Sequence, residues 1–227
     1  VPRIYPDNCH FINKIEISSE FGTFELKGKS KDGCNIFYAR IIDTDPAHYN
    51  YTDATKYFFM AADSAVWRTG TCKGYRFVCD GKGVSLGHIG RISLVAVKKS
   101  VAFLQEAIPV RLVGIHFINA PPAIDTFMTM AKPFMNSKLM NMIHFHSTLE
   151  SLEEFLPTDI LPNESGGKAG SLLKLNNETI KDLDDNREWF LEEERIWRTN
   201  ENLRVGETKS ANSLFGCDGS FKKIEVD

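Results

Sequence analysis

The chain has 227 residues, enough for one sizeable domain with an appendage, and its 42% hydrophobic and 25% charged content is that of an ordinary globular protein. That balance excludes a disordered chain, a collagen and a disulfide-knotted miniprotein, and no apolar run approaches the roughly 20 residues a membrane-crossing helix needs. The net charge of −3 argues against a general nucleic-acid binder, so no nucleic-acid partner is expected.

Sixteen of the 25 aromatic residues are Phe, the type without a polar handle, which suits a large or hollow apolar interior. The chain opens on Val1 with VPRIYPDN, which holds no apolar signal segment, and is expected to be a fragment or a processed chain. Five cysteines, Cys9, Cys34, Cys72, Cys79 and Cys217, are odd in number and form no C-x-x-C, as expected of reduced thiols in the cytosol.

Residues 1–34 read as an irregular N-terminal segment punctuated by Gly22, Gly28 and Gly33. NIFYARII (35–42) is β-branched and aromatic and predicts a strand. A helix over about 53–67, capped by Thr52 or Asp53, is apolar nearly all round and must be buried on two sides. YRFVCD (75–80) predicts the second strand. Leu94, Val97, Val101, Leu104 and Ile108 recur at helical spacing and predict a helix over about 91–107, ended by Pro109.

GIHFIN (114–119) is the third strand, and Pro121-Pro122 opens a helix of about 123–132 striped by Ile124, Phe127, Met128 and Ala131. A short polar helix near 137–141, the strand MIHFHS (142–147) and a short helix at 151–155 complete the region. Strands separated by helices of ten or more residues signal a mainly parallel sheet. From Leu172 the composition turns polar, with one amphipathic segment, DNREWFLEEERIWRTN, whose Trp189, Phe190 and Trp197 are expected to dock back on the domain.

Catalytic motifs are missing from this pattern. There is no phosphate-binding G-x-x-x-x-G-K-[ST], GKGVSLG is not a dinucleotide fingerprint, and Ser85 in GVSLGH lacks the second glycine of a nucleophile elbow. His144 and His146 share one face of a strand and His116 sits on its neighbour, yet no carboxylate or cysteine completes a metal set at recognisable spacing. Their expected role is structural, and no metal, cofactor or catalytic residue is assigned.

Three stretches carry a family signature: VCDGKGVSLGHIG, GIHFINAPPAIDTFMTMAKPFMNSKLMNMIHFHS, and SLEEFLPTDILPNESGG with its ILP-x-E-x-GG ending. In order and spacing, from about Ile36 to Gly167, they resemble the CRAL-TRIO lipid-binding family, closest to its animal branch of tocopherol and retinaldehyde carriers. The resemblance implies an α/β fold in which a mixed, mostly parallel sheet floors an apolar pocket closed by a mobile gate helix at about 119–142. It divides the chain into the irregular segment 1–34, whose upstream helical bundle is missing, a lipid-binding domain over 35–171, and a polar extension over 172–227.

The implied pocket wall is Phe58, Ala62, Tyr75, Cys79, Leu86, Ser100, Phe103, Leu104 and Ile115, with Ile124, Phe127, Met128 and Ala131 on the gate. Where a tocopherol-binding relative carries serines on the first pocket helix this chain has Phe58 and Ala62, so a retinoid, a carotenoid or another isoprenoid fits as well as tocopherol. Arg111 and Lys138 match the family's basic cleft for phosphoinositide headgroups, while Val113 and Met142 replace further basic residues there. The implied function is a non-enzymatic cytoplasmic carrier that touches anionic membranes transiently and moves a hydrophobic lipid between them. The alternatives are a lipid-sensing scaffold module at phosphoinositide membranes, or a metal-dependent enzyme using His116, His144 and His146.

Overall fold

In the computed structural model, residues 20–196, with 203, 205 and 206, are described. Five strands form one sheet in sequential order: β1 (Phe21–Lys29), β2 (Asn35–Ile41), β3 (Tyr75–Asp80), β4 (Leu112–Ile118) and β5 (Ile143–His146). β1 runs antiparallel to β2, and every later pair is parallel. The sheet is therefore mixed and mostly parallel, flanked by helices.

The crossovers between parallel strands are α1 (Tyr51–Thr69), then α2 (Leu86–Ile89) with α3 (Leu94–Glu106), then α4 (Ala123–Ala131) with α5 (Ser137–Met140). α6 (Leu149–Glu153) follows β5, and α7 (Leu172–Asp185) and α8 (Arg187–Ile196) close the described chain. The N-cap of α1 is Asn50, two or three residues earlier than the sequence indicates, its Oδ1 accepting from the N–H groups of Thr52 at 3.0 Å and Asp53 at 3.2 Å.

Strand alternation sorts the sheet into two faces. Phe37, Phe77 and Ile115 point toward α1 and α3, in one core that also takes Tyr57, Ala61, Val97 and Val101. Ile36, Tyr38, Val78 and Ile118 point the other way and are covered by Leu152, Leu156, Leu161, Leu172 and Leu175.

Two elements depart from the sequence reading. Where 1–34 reads as irregular, β1 is a nine-residue edge strand whose Phe24 and Leu26 are buried in the second core. The polar extension begins with an integral helix: α7 buries Leu172, Leu175, Asn176 and Leu183. Asn176 Oδ1 accepts from Thr23 N–H at 3.0 Å and from the Tyr57 hydroxyl at 2.8 Å, joining α7 to both β1 and α1.

The ILPNESGG segment crosses the second core's face. Gly167 approaches the backbone so closely that a Cβ there would sit 2.0 Å from the Leu161 carbonyl oxygen, a space only glycine can occupy. From the amphipathic C-terminal segment, Trp189 lies against Trp67 with ring centroids 5.4 Å apart and Phe190 is buried, while Trp197 lies outside the described residues.

Candidate functional site

A cavity of about 240 Å³ lies over the carboxyl ends of the parallel strands, roofed by α1, α3 and α4. This is the place where open α/β sheets leave a crevice. Its floor is Ala39, Phe77, Cys79, Ile115, Phe117 and Ile143, the residues that alternation turns toward the crossovers. α1 contributes Tyr51, Ala54, Thr55 and Phe58, one helical stripe at i, i+3, i+4 and i+7. α3 adds Ser100, Val101 and Leu104, and α4 adds Ile124, Phe127 and Met128.

Much of the phenylalanine excess is spent here. Phe58 meets Phe37 and Phe77 edge-to-face, at 5.2 and 5.1 Å, and holds one wall rigid. Most polar atoms of the wall are satisfied within it. Thr55 Oγ1 donates to the Tyr51 carbonyl at 2.7 Å, and Ser100 Oγ donates to the Ala96 carbonyl at 2.9 Å. Burial, reinforced by the neighbouring Asp80 carboxylate, pushes the Cys79 thiol up to about 12, so it stays a neutral, unreactive wall group.

The α4 roof is framed by backbone breaks. Asn119 holds a left-handed φ of 49°, Pro122 precedes the helix, and a short 3-10 turn, Lys132–Phe134, ends it. One α3 side chain clasps the far end: Gln105 Nε2 donates to the Phe134 carbonyl at 3.1 Å, and its Oε1 accepts from Asn136 N–H at 2.6 Å.

Of the pocket residues expected from the sequence, Phe58, Cys79, Ser100, Leu104, Ile115, Ile124, Phe127 and Met128 meet at this cavity. Five are elsewhere. Leu86 is on the outer side of the single-turn α2 and is 66% exposed. Tyr75 is buried at the start of β3, its hydroxyl 3.5 Å from Asn35 Nδ2, half a strand short of the cavity. Ala62 and Ala131 are buried, but one turn past the cavity along α1 and α4. Phe103 stacks on Phe59 at 4.2 Å and fills the gap between α3 and α1 instead. The sequence reading missed Tyr49, Tyr51, Phe77, Phe117 and His88; strand alternation alone could have found Phe77 and Phe117.

The three histidines are on the opposite face. His116 is buried and stacked 5.0 Å from His144 and 5.1 Å from His146, with Phe155 against them. Arg76 Nη1 can only donate, so His116 Nε2 accepts from it at 3.0 Å and His116 Nδ1 donates to His146 Nε2 at 2.9 Å. His146 Nδ1 then meets Ser151 Oγ at 3.0 Å. Burial first and the Arg76 cation second push His116 down to about 3. Among the described residues no group of three or more His, Cys, Asp or Glu is arranged to hold a metal.

A buried carboxylate ties the loops around the cavity. Asp80 Oδ2 accepts from the Tyr38 hydroxyl at 2.9 Å, from Arg40 Nη1 at 3.3 Å and from Ser165 Oγ; its Oδ1 accepts from Lys82 N–H and Asn119 Nδ2, both at 3.0 Å. The β3–α2 turn, the hinge before α4 and the ILPNESGG loop are thereby fixed to one residue. Arg111 and Lys138 are both exposed, before β4 and on α5 before β5, whereas Val113 and Met142 are half-buried.

Residues 20–167, well over half of the chain, match the CRAL/TRIO domain. The chain belongs to the CRAL/TRIO domain family. Alpha-tocopherol transfer protein-like proteins of Mus musculus and Homo sapiens are 31% identical to it over 142 residues, 62% of this chain and 41% and 42% of theirs. Clavesin-1 of Rattus norvegicus is 24% identical over 144 residues, 63% of this chain and 41% of its own length. The chain thus spans about two fifths of the length of these curated CRAL/TRIO relatives. Among the described residues of this CRAL/TRIO chain, no helix is long and apolar enough to cross a membrane.

Proposed function

We propose that this chain is the ligand-holding part of a carrier that takes up a small hydrophobic lipid and transfers it between membranes. One observation carries the proposal: an apolar cavity between sheet and helices, walled by Phe58, Phe77, Ile115 and Met128, with the Thr55 and Ser100 hydroxyls of the wall turned back onto their own helices. The transfer named in the mouse and human relatives agrees with it. Burying about 400 Å² of ligand at ~25 cal/mol/Å² supplies on the order of 10 kcal/mol before the entropic costs of binding. That is firm enough to hold an isoprenoid such as a tocopherol, retinoid or carotenoid, and weak enough to release it once the roof opens.

In this reading α4 is the gate. Its Ile124, Phe127 and Met128 face the cavity when shut and acyl chains when open, hinged at Asn119–Pro122 and at Lys132–Phe134. Arg111 and Lys138 would meet anionic headgroups, with Val113 and Met142 limiting that preference. The protein works without catalysis, at cytoplasmic membrane surfaces.

The test is organic extraction and mass spectrometry of purified protein. A stoichiometric intact lipid is the expected result. Protein that emerges empty and takes up no tocopherol, retinoid or carotenoid from vesicles overturns the carrier reading; turnover of an added lipid into product favours the enzyme reading instead.

A further inference from the structure

His88 reaches the cavity from the α2 turn and is 1% exposed. Its Nδ1 accepts from the Ser85 backbone N–H at 3.1 Å and from Ser85 Oγ at 2.8 Å. A backbone N–H can only donate, so Nδ1 carries no proton and the neutral ring must carry it on Nε2. Burial holds the ring's pKa below its ordinary value, in keeping with that neutral form. Nε2 is buried and has no hydrogen-bond partner among the described residues. A buried donor without an acceptor is costly and rare in a native fold.

The placement is built in. A Cβ on Gly87 would meet Pro46 Cγ at 2.8 Å, so the turn is pressed onto the loop before α1 by a residue that only glycine can be. Tyr49 from that loop packs edge-on to the imidazole at 5.3 Å. Ring position and tautomer are both fixed before any ligand arrives.

We infer that the His88 Nε2–H is the polar handle of the cavity, donating a hydrogen bond to an acceptor oxygen on the lipid. The inference rests on the carrier reading above and narrows it: the ligand is an isoprenoid bearing a carbonyl, quinone or comparable acceptor oxygen, and a pure hydrocarbon is discriminated against. The handle stands on α2, away from the α1 helix that carries Phe58.

The probes are the isoprenoid ketone phytone and the hydrocarbon of the same skeleton, offered together in phosphatidylcholine vesicles to the whole chain, with bound lipid extracted and quantified. Wild-type protein is expected to enrich the ketone about tenfold, the worth of one neutral hydrogen bond in a desolvated site. His88→Phe is expected to bring the ketone-to-hydrocarbon ratio close to that of the vesicles, and His88→Gln, whose amide can donate from nearly the Nε2 position, to restore part of it. In wild-type protein labelled with nitrogen-15 histidine, the Nε2 resonance should shift on loading with phytone and stay in place with the hydrocarbon. An unchanged ratio in His88→Phe, or an Nε2 resonance blind to the ketone, overturns the handle and leaves the carrier intact. Wild-type protein that takes up neither probe overturns both.

Discussion

Replacing Asp80 by alanine should be among the most damaging single changes available in this domain. The carboxylate is wholly buried and collects five donors: Tyr38, Ser165, Arg40, Asn119 and the Lys82 backbone. Among the described residues, alanine leaves the Tyr38 hydroxyl in the core with only Ser165 Oγ, 2.7 Å away, and the nearly buried Arg40 with only the Glu164 carbonyl. Breaking a buried ion pair costs about 3–5 kcal/mol, and each orphaned neutral donor about 1–3 kcal/mol. These donors share one network, so the costs do not add in full, and the expected total is about 4 kcal/mol. Urea unfolding followed by far-ultraviolet circular dichroism reads it directly, as a lowered midpoint with an unchanged slope. Ser165→Ala, which removes one donor and keeps the carboxylate, should lose only about 1 kcal/mol. A loss below about 1 kcal/mol for Asp80→Ala would refute the idea that this residue holds the three loops together.

Three further outcomes are expected. Because the folded protein holds His116 near 3 while an unfolded histidine titrates near 6.5, the unfolded chain binds the extra proton between those values; stability present above pH 6.5 is lost on acidification. By pH 4.5 the loss should reach about 2 kcal/mol, and His116→Gln should flatten the urea-midpoint profile between pH 7 and 4.5, whereas an unchanged slope contradicts it. Asn176→Ala strands the buried Thr23 N–H and Tyr57 hydroxyl and should cost about 2–4 kcal/mol in the same assay; a neutral effect means α7 is dispensable. Gln105→Leu removes both clasps on the end of the roof and should speed lipid release to acceptor vesicles several-fold; unchanged release shows that the roof does not open there.

The elements most legible in the sequence are those with a long, unbroken period. β2 to β5 alternate or run apolar, α3 and α4 repeat every three or four residues, and the motif ending in Gly167 fixes their order. β1 escaped because FGTFELKGK mixes glycines and lysines into its alternation; as an edge strand it has one side to itself and tolerates them. The cavity residues that could be anticipated lie on regular elements, as Ile124, Phe127 and Met128 do. Ala62, Tyr75 and Ala131 show the limit: periodicity names the buried face of an element, and where along that face a void begins depends on how the helices cross the sheet. Leu86 and His88 show another, since a one-turn helix has no period, and which of its residues turns inward is decided by Pro46 and Tyr49 across the gap.

The stitching of α7 onto β1 also sets an order of events during synthesis. Phe24 and Leu26 leave the ribosome among the first residues of the domain, yet Leu172 and Leu175, which cover them, follow about 150 residues later. At translation rates of about 5–20 residues per second that interval lasts on the order of ten seconds or more. Throughout it the nascent chain holds an edge strand with an apolar, uncovered side, the kind of surface that pairs with other chains. Helix α7, made after every strand of the sheet, is the element that ends this exposure.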